Sequence, residues 1–147
     1  MAKKKQENSL TLPLATLQAT KTLAVRLAKQ ARGGDVFGLV GNLGAGKTTF
    51  TQFFAAALGV PSRVVSPTYT LVQFHTGKKF TLCHIDSYRA HGAEEICMAG
   101  LDDALADKNC IVIVEWADTI RVALPPQTIW LRFSRKGTRR TVTITTP

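Results

Sequence analysis

Long apolar runs are absent from this 147-residue chain. No stretch approaches the roughly 20 residues that a membrane-crossing helix needs, which excludes a helical span. Cysteine is scarce: Cys83, Cys97 and Cys110 are an odd number, widely spaced, with no C-x-x-C pair. That excludes a disulfide scaffold and fits idle thiols in a reducing compartment. Behind the basic start Met1-Ala-Lys-Lys-Lys5 there is neither an apolar core nor a small-residue cleavage site. No secretory signal is read there, and a cytoplasmic location is expected. Acidic residues are few, 10 Asp and Glu against 19 Lys and Arg, for a formal net charge of +9. Such a balance favours polyanions such as nucleotide phosphates, RNA or an acidic partner surface. Repeats, low-complexity segments and internal linkers are also missing. The expectation is a flexible basic tail at residues 1–8 and a single domain at residues 9–147.

What is present is ordinary globular composition, 45% hydrophobic and 20% charged, enough to close one core. Residues 9–14 alternate with period two, and Pro13 demotes them to an edge strand. Apolar positions recur at helical spacing over residues 16–32, and Gly33-Gly34 is expected to end that helix. Val36-Phe-Gly-Leu-Val40 is a continuous apolar run, as a strand buried on both faces should be. A helix over residues 47–58, closed by Gly59, follows a glycine-rich turn. Residues 69–75 and 79–86 read as a hairpin across Thr76-Gly-Lys78, and residues 88–107 as a polar, partly helical segment. Cys110-Ile-Val-Ile-Val114 is a second buried strand. Residues 128–134 and 139–145 form a last pair joined at Lys136-Gly137. Strands interleaved with helices around a buried parallel centre predict an α/β sandwich.

Gly41-Asn-Leu-Gly-Ala-Gly-Lys-Thr48 fits the phosphate-loop pattern G-x-x-x-x-G-K-[ST] at every fixed position. Its glycines let successive backbone N–H groups turn inward onto phosphate oxygens, and the following helix adds its positive end. Asn42, Leu43, Gly44, Ala45 and Gly46 are therefore expected along the phosphates, together with Lys47, Thr48 and Thr49. Lys47 supplies a mobile cation for the β- and γ-phosphates, and the Thr48 hydroxyl is placed for Mg2+. The pattern lies between an apolar strand and an amphipathic helix, which is the context it requires.

The metal needs a carboxylate at the C-terminal end of a neighbouring buried strand. Glu115 and Asp86 both end such strands. Glu115 follows the more apolar one and is the preferred Walker-B-like ligand; Asp86 stands beside it, on the metal or on the attacking water. His84 shares Asp86's side of the strand, where a packed core position is the simpler reading. Trp116 reads as a lid, a surface contact or a packed aromatic. Guanine is normally read by an N-K-x-D segment, and none is present, so adenine is the default base. Ser66-Pro-Thr-Tyr-Thr70 follows the phosphate-loop helix and offers hydroxyls to sense a γ-phosphate. Arg140, on the face of Val142 and Ile144, reads either as a guanidinium stacked on adenine or as a solvent-facing charge.

Five segments in order carry a resemblance: Gly41-Asn-Leu-Gly-Ala-Gly-Lys-Thr-Thr49, Ser66-Pro-Thr-Tyr-Thr-Leu-Val72, His84-Ile-Asp-Ser-Tyr-Arg89, Ala99-Gly-Leu-Asp-Asp103 and Val114-Glu-Trp-Ala-Asp118. From about Leu10 onward the chain resembles the TsaE family of bacterial P-loop ATPases. The resemblance implies a P-loop NTPase-type three-layer sandwich with a mostly parallel central sheet, Mg-ATP binding and weak ATPase activity. It also implies work with the partners TsaB and TsaD on threonylcarbamoyladenosine at position 37 of tRNAs that read codons starting with A. ATP hydrolysis would reset that complex, with tRNA met indirectly. Carried over, Lys47 and Thr48 hold phosphate and Mg2+, and Glu115 is the metal ligand. Asp86 becomes a catalytic or metal-site carboxylate, Thr68 a γ-phosphate sensor and Trp116 an active-site neighbour. Ser87 and Ala90 depart from the leucines expected there, and residues 94–98 are less acidic than expected. Two rival readings are a stand-alone small-molecule kinase and a basic nucleic-acid-binding module with a vestigial phosphate loop.

Overall fold

The computed structural model describes residues 6–67 and 69–147. Seven strands form one sheet in the order β1-β7-β6-β2-β5-β4-β3. They are β1 (Asn8–Pro13), β2 (Val36–Val40), β3 (Val72–Thr76), β4 (Thr81–Asp86), β5 (Cys110–Glu115), β6 (Ile129–Lys136) and β7 (Arg139–Thr146). The four central strands β6, β2, β5 and β4 run parallel. The antiparallel strands β3, β7 and β1 complete the two sides. β1 is an edge strand with Pro13 at its end, and it begins at Asn8, inside the stretch expected as tail.

Alternating residues of the buried strands feed two apolar layers. Phe37, Leu39, Ile111, Ile113 and Leu131 pack under α1 (Leu17–Gln30) and α2 (Lys47–Ala57). Val36, Val112, Val114, Cys83 and Ile85 face Ile96, Leu101, Ala104 and Ile120 on the other side. That second layer is built from short pieces: α3 (Ala93–Ile96), a π turn (Cys97–Leu101), α4 (Asp102–Ala106) and a 3-10 segment (Ala117–Ala123). The architecture is thus a three-layer α/β sandwich. α1 starts where the Thr16 hydroxyl accepts from the Ala19 N–H, and it ends when Ala31 turns extended. Gly33-Gly34 makes the turn into β2 and is not the helix stop; the departure occurs at φ −65°, ψ 144°, which needs no glycine.

α2 is fixed from below by aromatics. Phe54 meets Phe37 edge-on at 5.2 Å and Phe50 meets Phe133 at 5.7 Å. Each such pair contributes about 1 kcal/mol beyond its buried area. Because β2, β5 and β4 are parallel, their C-terminal ends lie along one edge of the sheet, where α/β folds place their ligands. That edge receives the phosphate-loop segment, Glu115 and Asp86.

Candidate functional site

β2 delivers the chain into residues 41–46, which wrap the N-terminus of α2. Gly41 has φ +150°, and a Cβ there would lie 2.6 Å from the Phe133 carbonyl oxygen, so only glycine passes β6 so closely. Gly46 caps α2 at φ +110°. Lys47 is almost wholly enclosed, with its ammonium donating to the carbonyls of Gly41 and of Asn42 (3.0 Å). The ammonium also lies 4.2 Å from the centre of the Trp116 ring. Burial pushes the Lys47 pKa below the usual lysine value, against the opposing pull of Glu115, Asp86 and Asp118.

Glu115, the last residue of β5, is buried and fully engaged. Its Oε1 accepts from the Thr48 hydroxyl at 2.7 Å. Its Oε2 lies 2.6 Å from His84 Nε2 and 3.4 Å from the Ser66 hydroxyl. A carboxylate only accepts, so His84 is the donor in that contact. Its Nδ1 is buried with no hydrogen-bond partner. The Thr48 and Ser66 hydroxyls are themselves 3.1 Å apart. Asp86 is the register partner of Glu115 on the neighbouring strand, and its Oδ1 accepts from the Tyr88 N–H at 3.0 Å. Burial raises the Asp86 pKa, with the Tyr88 N–H opposing and Glu115 adding to the rise.

The chain then turns over the cleft. Trp116 sits at φ +59°, a left-handed conformation uncommon for a bulky residue. The Ser87 hydroxyl donates toward the carbonyls of Glu115 (3.0 Å) and Trp116 (2.8 Å), and the Thr119 hydroxyl is 2.8 Å from the latter. Tyr88 packs against Trp116 at 4.7 Å between ring centres.

The result is a cleft of about 540 Å³. Of the residues expected to meet the nucleotide, Leu43, Gly44, Gly46, Lys47, Thr48, Thr49 and Arg140 line it, with Asp86 and Glu115 opposite. Asn42 contributes its carbonyl to Lys47, and Ala45 packs into the core beneath the loop. Thr68 lies outside the described residues. Arg140 is half-buried and shares its sheet face with the core residues Val142 and Ile144. Reading residues singly missed three things. His84 is a partner of Glu115, not merely packed core; its spacing two before Asp86 was the available signal. Ser87 latches the Trp116 turn, and Tyr88 and Arg89 line the cleft wall. Among the described residues no three His, Cys, Asp or Glu converge as a metal site.

Comparisons with known proteins bear on the family and the fold. The sequence model of threonylcarbamoyl adenosine biosynthesis protein TsaE matches residues 14–142. The tRNA threonylcarbamoyladenosine biosynthesis protein TsaE of Bacillus subtilis (strain 168) is 38% identical over 120 residues, 82% of this chain and 74% of that protein. Its counterpart in Streptomyces coelicolor is 38% identical over 118 residues, 78% of each chain. The crystal structure of Bacillus subtilis YdiB superposes with a TM-score of 0.78 at 32% identity, covering 97% of this chain and 88% of that one. With a family match across most of its length and a shared fold, the chain belongs to the TsaE family.

Proposed function

We propose that this chain is a Mg-dependent ATPase of the machinery that forms threonylcarbamoyladenosine at position 37 of tRNAs reading codons that start with A. It works with TsaB and TsaD and resets their complex between turnovers. The observation that carries this reading is the buried Lys47–Thr48–Glu115 cluster facing a nucleotide-sized cleft in a TsaE-family chain.

The residues fit a magnesium nucleotide. Lys47 is a desolvated ammonium balanced by loop carbonyls and a ring face, so an arriving phosphate gains more from it than from a hydrated surface lysine. Thr48, Glu115 and Asp86 are the oxygen donors for Mg2+. When bound, Mg2+ neutralises phosphate charge and orients the terminal phosphoryl group. His84 and Ser66 hold the Glu115 carboxylate in place, as supporting contacts do for metal ligands. The glycine-rich turn would give its backbone N–H groups to the phosphates, and Arg140, which also lines the cleft, would stack on the base. Thr68 is assigned to γ-phosphate sensing on the sequence alone.

Phosphate release, measured with and without purified TsaB–TsaD, tests the proposal. The partner pair is expected to raise the rate. Lys47→Ala and Glu115→Ala are each expected to lower it roughly 100-fold or more, the scale of removing one preorganised charge. ADP formed without free phosphate would instead indicate transfer to an acceptor. A rate that neither the partners nor the substitutions change would overturn the assignment.

A further inference from the structure

After Asp118 the chain has no carboxylate side chain through residue 147, yet it carries six cations, Arg121, Arg132, Arg135, Lys136, Arg139 and Arg140. Four of these sit at the closed end of the β6–β7 hairpin, where Arg135 faces Arg140 and Lys136 faces Arg139 in direct register. Like charges opposite one another destabilise a sheet. No carboxylate among the described residues lies within 4 Å of them, and Arg135 Nε donates only to the Gly137 carbonyl at 3.1 Å. Such a local conflict is the kind retained for function.

The two faces of this hairpin differ. Leu131, Phe133, Val142 and Ile144 point into the core beneath α1 and α2. The opposite face carries the paired rows Arg132–Thr143, Ser134–Thr141 and Lys136–Arg139, which line a shallow groove of about 400 Å³. The three cations are exposed and the three hydroxyl residues half-buried. Arg132 and Lys136 are four residues apart on one strand, about 13 Å at the usual rise. The groove residues include no aromatic or aliphatic anchor, the feature on which protein interfaces concentrate their energy. Trp130, the next residue on this face, packs against the core layer and carries Arg121 4.0 Å from its ring centre, so the groove itself holds no aromatic ring.

From this we infer that the open face of the β6–β7 hairpin binds the sugar–phosphate backbone of an RNA helix, with Arg132, Lys136 and Arg139 on phosphates and the Ser134, Thr141 and Thr143 hydroxyls on ribose or phosphate oxygens. Exposed cations and hydroxyls, with no aromatic ring among the groove residues, suit recognition of a phosphate backbone by charge and shape, as double-stranded RNA requires. The surface is separate from the nucleotide cleft, so the inference goes beyond the ATPase reading and stands or falls apart from it.

Anisotropy of a labelled RNA hairpin of about 16 base pairs, titrated with the full chain between 50 and 200 mM salt, tests this. Saturating ADP keeps RNA phosphates out of the phosphate loop. The unaltered chain should bind, with affinity falling steeply as salt rises. The triple variant Arg132→Gln, Lys136→Gln, Arg139→Gln should bind at least tenfold more weakly and lose roughly two to three units of the log–log salt slope, about 0.7–0.9 per phosphate contact. Its melting temperature should be unchanged or higher, and its heat of Mg-ATP binding unchanged. A control with the same charge loss on α1, Lys21→Gln, Arg26→Gln, Lys29→Gln, should bind RNA nearly as the unaltered chain does. The inference is overturned if the unaltered chain ignores RNA, as it would if the face met an acidic protein. It is equally overturned if ADP abolishes binding, or if the α1 control weakens binding as much as the hairpin variant.

Discussion

Replacing His84 with alanine removes the imidazole donor 2.6 Å from Glu115 Oε2 in a site where both side chains are at most 2% exposed. A hydrogen bond to a charged group contributes about 2 kcal/mol net. The void left by the ring adds about 1–2 kcal/mol. The expected loss is therefore about 3–4 kcal/mol. Glu115→Ala should cost a similar amount, since it also strips the Thr48 hydroxyl of its 2.7 Å acceptor. The double variant should be about 2 kcal/mol more stable than the sum of the two losses predicts, because removing both partners leaves no carboxylate orphaned. Urea unfolding followed by circular dichroism reads this directly. With a slope of about 2 kcal/mol per molar, each single substitution shifts the midpoint by about 1.5–2 M. Losses that add to within about 0.5 kcal/mol would show that the two side chains are merely neighbours.

Lys47→Met should leave the nucleotide-free protein as stable as before or more so, because burial disfavours the ammonium, while abolishing the heat of Mg-ATP binding; a destabilised variant would contradict the cause given for the depressed pKa. Glu115→Gln keeps the side chain's size and should retain nucleotide binding but lose Mg2+-dependent phosphate release, a split visible in calorimetry and a phosphate assay run side by side. Asp86→Asn should raise the melting temperature at pH 7. A carboxyl whose pKa is raised on folding binds more protons in the native state, so native stability falls as pH rises from the ordinary Asp value through the raised one. The gap between variant and parent should therefore close on acidification, and a gap that widens would reverse the assigned sign.

The glycine-rich turn into α2 and the central strands were legible because their signals are local. Residues 41–48 satisfy every fixed position of their pattern, and β2 and β5 are unbroken apolar runs whose residues are all buried. Contacts that depend on strand order were not. His84 and Glu115 are 31 residues apart, and period two only puts His84 on Asp86's face. That this face looks at Glu115 follows from β4 and β5 being parallel neighbours with Asp86 opposite Glu115. The pairing of β1 with β7 likewise joins the two ends of the chain, with the Thr11 and Thr143 hydroxyls 2.9 Å apart. Residues 88–107 were legible only as partly helical. The π turn at Cys97–Leu101 depends on Gly100 at φ +147°, where a Cβ would press 3.1 Å from Phe74 and Val72. The left-handed Trp116 was not legible either, because its turn is latched in part by Ser87, 29 residues earlier in the chain.

The central claim is that the cleft at the carboxyl edge of β2, β4 and β5 takes a magnesium nucleotide through Lys47, Thr48 and Glu115. Titrating ATP calorimetrically into the protein, with Mg2+ and then with chelator, tests it most directly. The account predicts one site per chain, tighter with Mg2+ and lost in Lys47→Ala. No heat in the presence of Mg2+, or equal heat from the Lys47→Ala protein, would contradict it.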